Sequence, residues 1–177
     1  MNQLRKSERL KNYKLKKLLF NKGCSFKNYP FKIFWYVILK EEYVYKKSSI
    51  VLASVPLDKS KAGFKQLQYD IAGNALPESA VFLFPAKAVF SASKRTINKA
   101  TDRNQVKRMT KEAYRKNKKI FCSFLRKKAL YCLVAFDYIG VQNPKQEDVE
   151  NHLIASLQKL IKEIDLKIKE KSISKQK

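Results

Sequence analysis

The chain has 177 residues, of which 39 are Lys or Arg and 15 are Asp or Glu, and its formal net charge at pH 7 is +24. Apolar residues make up 45% of it, which is enough for a packed core and excludes wholesale disorder. Apolar stretches such as 130–136 are too short to span a bilayer, and three cysteines without CxxC spacing fit neither a disulfide framework nor a structural zinc site. The N-terminal residues contain no signal-peptide apolar core, so a cytoplasmic location is expected.

The net charge indicates the class of partner. A chain this basic repels itself unless a polyanion accompanies it, and nucleic acid is the usual polyanion. Two other interpretations stay open, a basic protein that is merely soluble and a protein that binds an anionic membrane surface. The second requires a basic amphipathic helix with a large apolar face, and we expect no membrane partner.

The first part of the chain predicts one helix and one strand. Residues 1–11 are polar and basic and are expected to be flexible. Asn12 is the predicted cap of a helix from Tyr13 to Lys22, which Gly23 ends. Pro30 precedes a strand from Phe31 to Leu39. Alternation places its apolar residues on the core face and its mixed residues on the wet face: Phe31, Ile33, Trp35 and Val37 on the first, and Lys32, Phe34 and Tyr36 on the second.

A segment of different composition follows this strand. Residues 48–85 contain three lysines and three acids and are therefore neutral within a very basic chain. We assign 38–85 to an insertion between the first and second core strands. Within it, 50–55 and 80–84 are candidate short strands that extend a hairpin.

The remaining chain predicts a strand, a helix, a strand and a helix. The strands are 86–93 and 130–139, and the second is apolar enough to be covered on both faces. The helix between them, 103–116, has Thr101 or Asp102 as its predicted cap. Val106, Met109 and Ala113 form a narrow stripe that should pack on the sheet.

The last helix has its own start signal. Asn143 is its predicted cap, Pro144 its first residue and Gln146 the capping-box partner. A polar tail, 170–177, ends the chain, and the whole of 1–177 is interpreted as a single RNA-binding domain.

Positive charge is concentrated between Lys94 and Lys119, where eleven basic residues and two acidic ones occur within 26 positions. On the predicted helix, Arg103, Lys107, Lys111 and Arg115 recur every fourth residue, and Asn104 and Arg108 lie beside them. Arg can grip a phosphate with two parallel hydrogen bonds, and an Asn amide can read a base edge or a 2′-hydroxyl. An ordinary solvated helix face is the alternative, but it usually mixes acids with bases, and here Glu112 alone does so.

The segment from Ser93 to Arg115 resembles the signature of the bacterial ribonuclease P protein component. The family pattern is Lys-Lys/Arg, a short loop, Ala-x-x-Arg-Asn-x-x-Lys-Arg and then (Arg/Lys)-Glu-(Ala/Ser)-(Phe/Tyr)-Arg. Its positions are filled here by Ala100, Arg103, Asn104, Lys107 and Arg108, followed by Lys111 to Arg115. The resemblance covers roughly 1–37 and 86–170. The chain departs from the pattern in the long 48–85 connection, in Gln105 where Arg is frequent, and in Lys16 where an aromatic residue is frequent.

The resemblance implies a fold and a function. The fold is α+β, a two-layer α/β sandwich with a central, mostly antiparallel sheet, three main helices and a left-handed crossover through the basic helix, whereas βαβ crossovers in general are right-handed. The implied function is the protein subunit of ribonuclease P, whose RNA subunit uses Mg²⁺ to hydrolyse the phosphodiester that frees the mature tRNA 5′ end. The implied partners are the catalytic RNA and precursor tRNA. The protein itself is expected to bind no cofactor and to be monomeric when free.

The resemblance also implies two sets of site residues. The Arg-Asn helix and the residues before it should contact the catalytic RNA: Lys94, Arg95, Arg103, Asn104, Lys107, Arg108 and, along the same strip, Lys111 and Arg115. A cleft between the first helix and the sheet should hold the 5′ leader of the precursor: Phe20, Lys32, Phe34, Tyr36, Lys87, Ser91 and Ser93. For Phe34 and Tyr36, burial by the insertion is the alternative.

No catalytic residue or metal ligand is assigned. The single histidine, His152, has no Cys or His close to it in the sequence, and the acids are scattered, mostly beside lysines. A protein nuclease would usually need clustered carboxylates or a His pair. The alternatives that stay open are a ribosomal or other structural RNA-binding protein without a leader cleft, and a metal-dependent nuclease that acts alone.

Overall fold

The computed structural model describes residues 4–39, 69–70 and 83–174. Its helices are α1 (Tyr13–Lys22), α2 (Ala100–Lys127) and α3 (Gln146–Ser174), and a short 3-10 turn (Lys6–Glu8) precedes them. Its strands are β1 (Cys24–Asn28), β2 (Phe31–Leu39), β3 (Tyr69–Asp70), β4 (Ala86–Ala92) and β5 (Leu130–Tyr138). The predicted strand at 50–55 lies outside the described residues, as do 80–82, whereas Leu83 and Phe84 form a bend. No helix among the described residues is long and apolar enough to cross a membrane.

The strands form one mixed sheet in the order β1-β2-β5-β4, and the two-residue β3 pairs with the end of β2. β2 is antiparallel to β1 and β5, whereas β4 and β5, joined through α2, are parallel. This confirms the predicted α+β class with a mostly antiparallel sheet and three main helices. β1 was not predicted, because its five residues include three polar ones and its burial alternates only between half-buried and exposed.

The main core lies between the sheet and the helices α2 and α3. The four residues predicted for the core face of β2 are all buried, with Ile33 opposite Phe136 and Trp35 opposite Val134 in the sheet register. Tyr114 of α2 packs against Phe136, with ring centroids 5.5 Å apart, and Phe136 stacks on Phe90 at 5.7 Å. Aromatic contacts between α2, β4 and β5 therefore hold the basic helix on the sheet.

A smaller core lies on the opposite face of the sheet, under α1. Asn12 caps α1 as predicted, its side chain accepting a hydrogen bond from the Leu15 backbone N–H. Leu15 and Leu19 are fully buried against Tyr36, Leu133 and neighbouring residues. Gly23 ends the helix where no side chain fits, because a Cβ there would lie 2.9 Å from the carbonyl oxygen of Trp35.

The long helices differ from their predicted bounds. α2 was predicted to end at 116, but its buried stripe continues through Phe121 and Leu125, and so it runs to Lys127. Its N-cap is Lys99, without a side-chain cap hydrogen bond, so the predicted caps Thr101 and Asp102 are wrong and lie within the first turn.

The start and end of α3 also differ from the prediction. Asn143 has a φ of 50°, a left-handed conformation that does not suit a helix N-cap, and α3 begins at Gln146. At its other end α3 continues to Ser174, so most of the predicted polar tail is helical.

The N-terminal segment is packed, and the prediction that 1–11 is flexible is wrong for its described part. Leu4 and Leu10 are buried, and the Leu10 backbone N–H donates to the Ala88 carbonyl at 2.9 Å along the β4 edge. The Glu8 carboxylate is 4% exposed, accepts a hydrogen bond from the Arg5 N–H and pairs with Lys118 of α2 at 2.5 Å. A polar sequence thus becomes ordered because α2 supplies a cation for its buried acid.

Replacing Lys118 with Ala should destabilise the protein, because it leaves the buried Glu8 carboxylate without its cation. We expect the free energy of unfolding, measured by urea denaturation, to fall by about 3 kcal/mol. Lys119→Ala, at the neighbouring exposed position, should change it by less than about 0.5 kcal/mol. Equal effects of the two substitutions would show that the ion pair does not hold the N-terminal segment.

Candidate nucleic-acid interface

In the first half of α2, one side of the helix faces the core and the other side faces solvent. Val106 and Ala113 are buried and Met109 is partly buried, as predicted. Asn104 and Arg108 are therefore exposed on the outward side, and Lys107 and Lys111 are half-exposed beside them. Arg108 makes no ion pair within the described part of the chain, so its guanidinium is available to a phosphate.

Arg103 makes hydrogen bonds to the loop that precedes α2. Its Nη1 donates to the carbonyl oxygens of Ile97 at 3.0 Å and Asn98 at 2.5 Å, and Ile97 is fully buried. These contacts fix the loop before α2, on which Lys94 and Arg95 are exposed. Arg103 therefore positions two other predicted contacts, while its remaining guanidinium donors can still reach RNA.

Arg115 is engaged within its own helix. Its guanidinium contacts the Glu112 carboxylate at 2.5 Å, and this interaction raises the pKa of Arg115 and lowers that of Glu112. The next two residues, Lys116 and Asn117, both bind Glu150 of α3. The cations available to RNA thus concentrate toward the start of α2.

A second surface lies on the sheet face beside α1. Phe20, at the end of α1, is 50% exposed, and its ring lies edge-on to Phe34 of β2 at a centroid distance of 5.1 Å. The Lys32 ammonium lies 4.7 Å from the centre of the Phe34 ring. Exposed aromatic rings beside lysines are the elements that bind single-stranded nucleic acid by stacking and charge.

The other predicted cleft residues differ in how deeply they are buried. Tyr36 is 9% exposed and packs under α1, so the prediction that it lies on the wet face is wrong. Its position is explained by Leu15 and Leu19, since the apolar stripe of α1 needs an apolar counterpart on the sheet. Lys87 is half-buried, and burial lowers its pKa.

Two serines complete the predicted cleft. Ser91 donates a hydrogen bond to Asp137 at 2.7 Å. The Ser93 hydroxyl accepts from the Arg95 backbone N–H at 3.2 Å, which places Ser93 in the loop that leads to α2. The sheet surface and the helix surface therefore meet at the end of β4.

Sequence reasoning missed some residues of this surface. Ser25 and Lys27 of β1 lie opposite Phe34 and Lys32, and Asp137 of β5 lies opposite Lys32 on its other side. The signal for β1 is the alternation of Cys24, Phe26 and Asn28 with Ser25 and Lys27. Asp137 gives no comparable signal, because one acid at the end of an apolar run resembles a simple strand end.

Other chemistry-bearing groups lie apart from these surfaces. His152 is exposed on α3, and the three cysteines are free, with Cys122 and Cys132 buried. Burial raises the pKa of both of those thiols. The described residues contain no group of three or more His, Cys, Asp or Glu that could hold a metal ion.

Comparison with known proteins identifies the family. A family model described as Ribonuclease P matches residues 4–164. The chain belongs to the ribonuclease P protein family. Over 67 residues it is 34% identical to the ribonuclease P protein components of two strains of Porphyromonas gingivalis, a match that covers 38% of this chain and 49% of each relative. The chain thus spans about half the length of the curated relatives it matches.

Arg108 and Arg115 provide a matched test of the helix surface. On the hypothesis that this face binds RNA phosphates, we expect Arg108→Ala to weaken binding to a bacterial ribonuclease P RNA and to flatten the slope of log K against log salt by about one unit, the value for one phosphate contact. Arg115→Ala should change affinity less, since Glu112 already neutralises that guanidinium. Titrations at several salt concentrations measure both effects, and an unchanged slope for Arg108→Ala would remove this helix face from the interface.

Proposed function

We propose that this chain is the protein subunit of ribonuclease P. In this proposal it binds the catalytic RNA through the start of α2 and the 5′ leader of precursor tRNA on the open sheet surface. It thereby assists the endonucleolytic removal of the leader that gives the mature tRNA 5′ end. The observation that carries the proposal is that one sheet has a half-exposed aromatic pair beside lysines on its α1 face and carries the basic helix α2 on its other face.

The sheet surface suits a leader because leaders differ in sequence. Stacking on an aromatic ring is tolerant of base identity and is worth about 1–3 kcal/mol per base. Phe20 and Phe34 provide such rings, and Lys27 and Lys32 provide cations next to them. A leader could therefore lie across β1 and β2 beside the end of α1.

The helix surface suits a folded RNA. Arg108, Asn104 and Lys107 lie along successive turns of a helix that is fixed to the sheet by Tyr114. Side chains in this arrangement are suited to contact phosphates and 2′-hydroxyls of a folded RNA. The loop that bears Lys94 and Arg95 extends the same surface.

The proposal also divides the chemistry between the protein and the RNA. We propose that the RNA subunit binds Mg²⁺ and performs the hydrolysis, while the protein neutralises phosphates and positions the leader. We further propose that the chain acts in the cytoplasm and is monomeric before it meets the RNA.

Reconstitution tests this function directly. The full-length chain is added to a bacterial ribonuclease P RNA, and cleavage of a leader-bearing precursor tRNA is measured under single-turnover conditions at low Mg²⁺. We expect faster cleavage than with RNA alone. Tight RNA binding with no gain in cleavage would favour a structural RNA-binding protein, and cleavage by the protein alone would indicate an independent nuclease.

Phe34 should matter for the leader and not for the tRNA body. Phe34→Leu keeps an apolar side chain and removes the ring, so we expect the reconstituted complex to lose about 1 kcal/mol or more of affinity for precursor tRNA. Its affinity for mature tRNA should not change, because mature tRNA has no leader. Tyr13→Ala, which removes an exposed ring at the other end of α1, is the control. Equal losses for precursor and mature tRNA would show that Phe34 is only a packing residue.

A further inference from the structure

A lysine side chain contacts a cysteine on the side of the sheet that faces α3. Lys167 of α3 donates a hydrogen bond from its Nζ to the Sγ of Cys24, the first residue of β1. The same ammonium lies 5.2 Å from the centre of the ring of Trp35, a buried residue that is opposite Cys24 in the sheet register. The ring and the thiol therefore hold this amine in one place, between α3 and the β1 edge of the sheet.

The three cysteines of the chain differ in their access to solvent. Cys122 and Cys132 are buried, and burial raises the pKa of both thiols, so their reactive thiolate forms are disfavoured. Cys24 is half-buried, and its neighbours along the chain are the half-buried Gly23 and the exposed Ser25. An oxidant in solution therefore reaches the Cys24 thiol far more readily than the other two.

The thiol–amine pair lies apart from both candidate RNA surfaces. Along β1, Cys24 and Phe26 pack against the main core, whereas the alternate residues Ser25 and Lys27 lie on the opposite face of the sheet. The basic helix α2 packs on β4 and β5, toward the other edge of the sheet. The proposed function therefore makes no use of this pair, and its chemistry is that of a thiol and an amine in contact.

We propose that Cys24 and Lys167 form a redox modification site, in which hydrogen peroxide leads to a covalent S–N bond between the two side chains. In the first step the Cys24 sulfur attacks the peroxide, whose O–O bond breaks. The sulfur becomes a sulfenic acid, and the peroxide is reduced to water. In the second step the Lys167 amine, which has released one proton to solvent, attacks that sulfur. The S–N bond forms, the S–O bond breaks, and the hydroxyl leaves as water with a proton of the amine.

The contact between the two side chains decides the fate of the sulfenic acid. A nucleophile held against the sulfur reacts much faster than one that must diffuse to it. Capture by Lys167 therefore competes with further oxidation to the sulfinic acid, which is irreversible. A small thiol reverses the modification, because it attacks the sulfur, releases the amine and leaves a mixed disulfide that a second thiol reduces. While it exists, the bond joins α3 covalently to β1.

The test treats the full-length chain with hydrogen peroxide, alkylates the remaining thiols and analyses its digest by mass spectrometry without reductant. We expect a linked pair of peptides that contain Cys24 and Lys167, with a mass two hydrogens below the sum of the separate reduced peptides. Dithiothreitol should separate the pair and restore both peptides. Treatment that leaves Cys24 reduced, or that oxidises it without joining it to Lys167, overturns the inference.

Two matched variants separate this pair from general oxidation of the protein. Lys167→Arg keeps the positive charge, but its guanidinium stays protonated and does not attack sulfur, so the link should be lost and Cys24 should proceed to the sulfinic acid. Lys159→Arg makes the same change two turns earlier on α3, at an exposed lysine that lies over the Phe26 ring, and should retain the link. A link from Cys24 that persists through another lysine in Lys167→Arg overturns the assignment.

Discussion

The middle of β5, from Cys132 to Phe136, is buried on both faces, and the rest of the structure depends on that constraint. Leu133 and Ala135 face α1, whereas Val134 and Phe136 face α2 and α3. A strand without a solvent face must have partners along both edges, because its backbone polar groups are out of reach of water. β2 and β4 provide those edges, and the return from β4 to β5 requires a long connection over the sheet. That connection is α2, which is how the basic helix comes to be fixed to the core.

The cations of α2 serve two purposes, and position along the helix separates them. Toward its end, Lys116 and Lys118 bind carboxylates of α3 and of the N-terminal segment. Toward its start, Arg103 holds the preceding loop and Arg108 is free of carboxylates within the described residues. The charge that repels the chain from itself is thus reduced where the protein packs. It is retained where a polyanion can neutralise it.

Local patterns in the sequence determined most of the elements and the family. The bounds of α1 and β2 follow from Asn12, Gly23 and a two-residue alternation, and the structure has them as predicted. The buried stripe Val106, Met109 and Ala113 determined which side of α2 faces outward, and hence that Arg108 is exposed. These features depend on neighbours a few residues away, so a single sequence contains them. The weaker boundaries, at the start of α3 and the end of α2, depend on packing that lies further along the chain.

Tertiary structure alone decided how the surfaces are completed. Tyr36 is buried because α1 folds over it, and Glu8 is buried because Lys118, 110 residues away, supplies its cation. One row across four strands contains Lys27, Lys32, Asp137 and Ser91, and no periodicity relates them. Sequence by itself determined which residues are basic, aromatic and amphipathic, since these are local properties. Which of them meet was decided by the sheet register and by α1, because contacts between distant residues arise only when the chain has closed on its core.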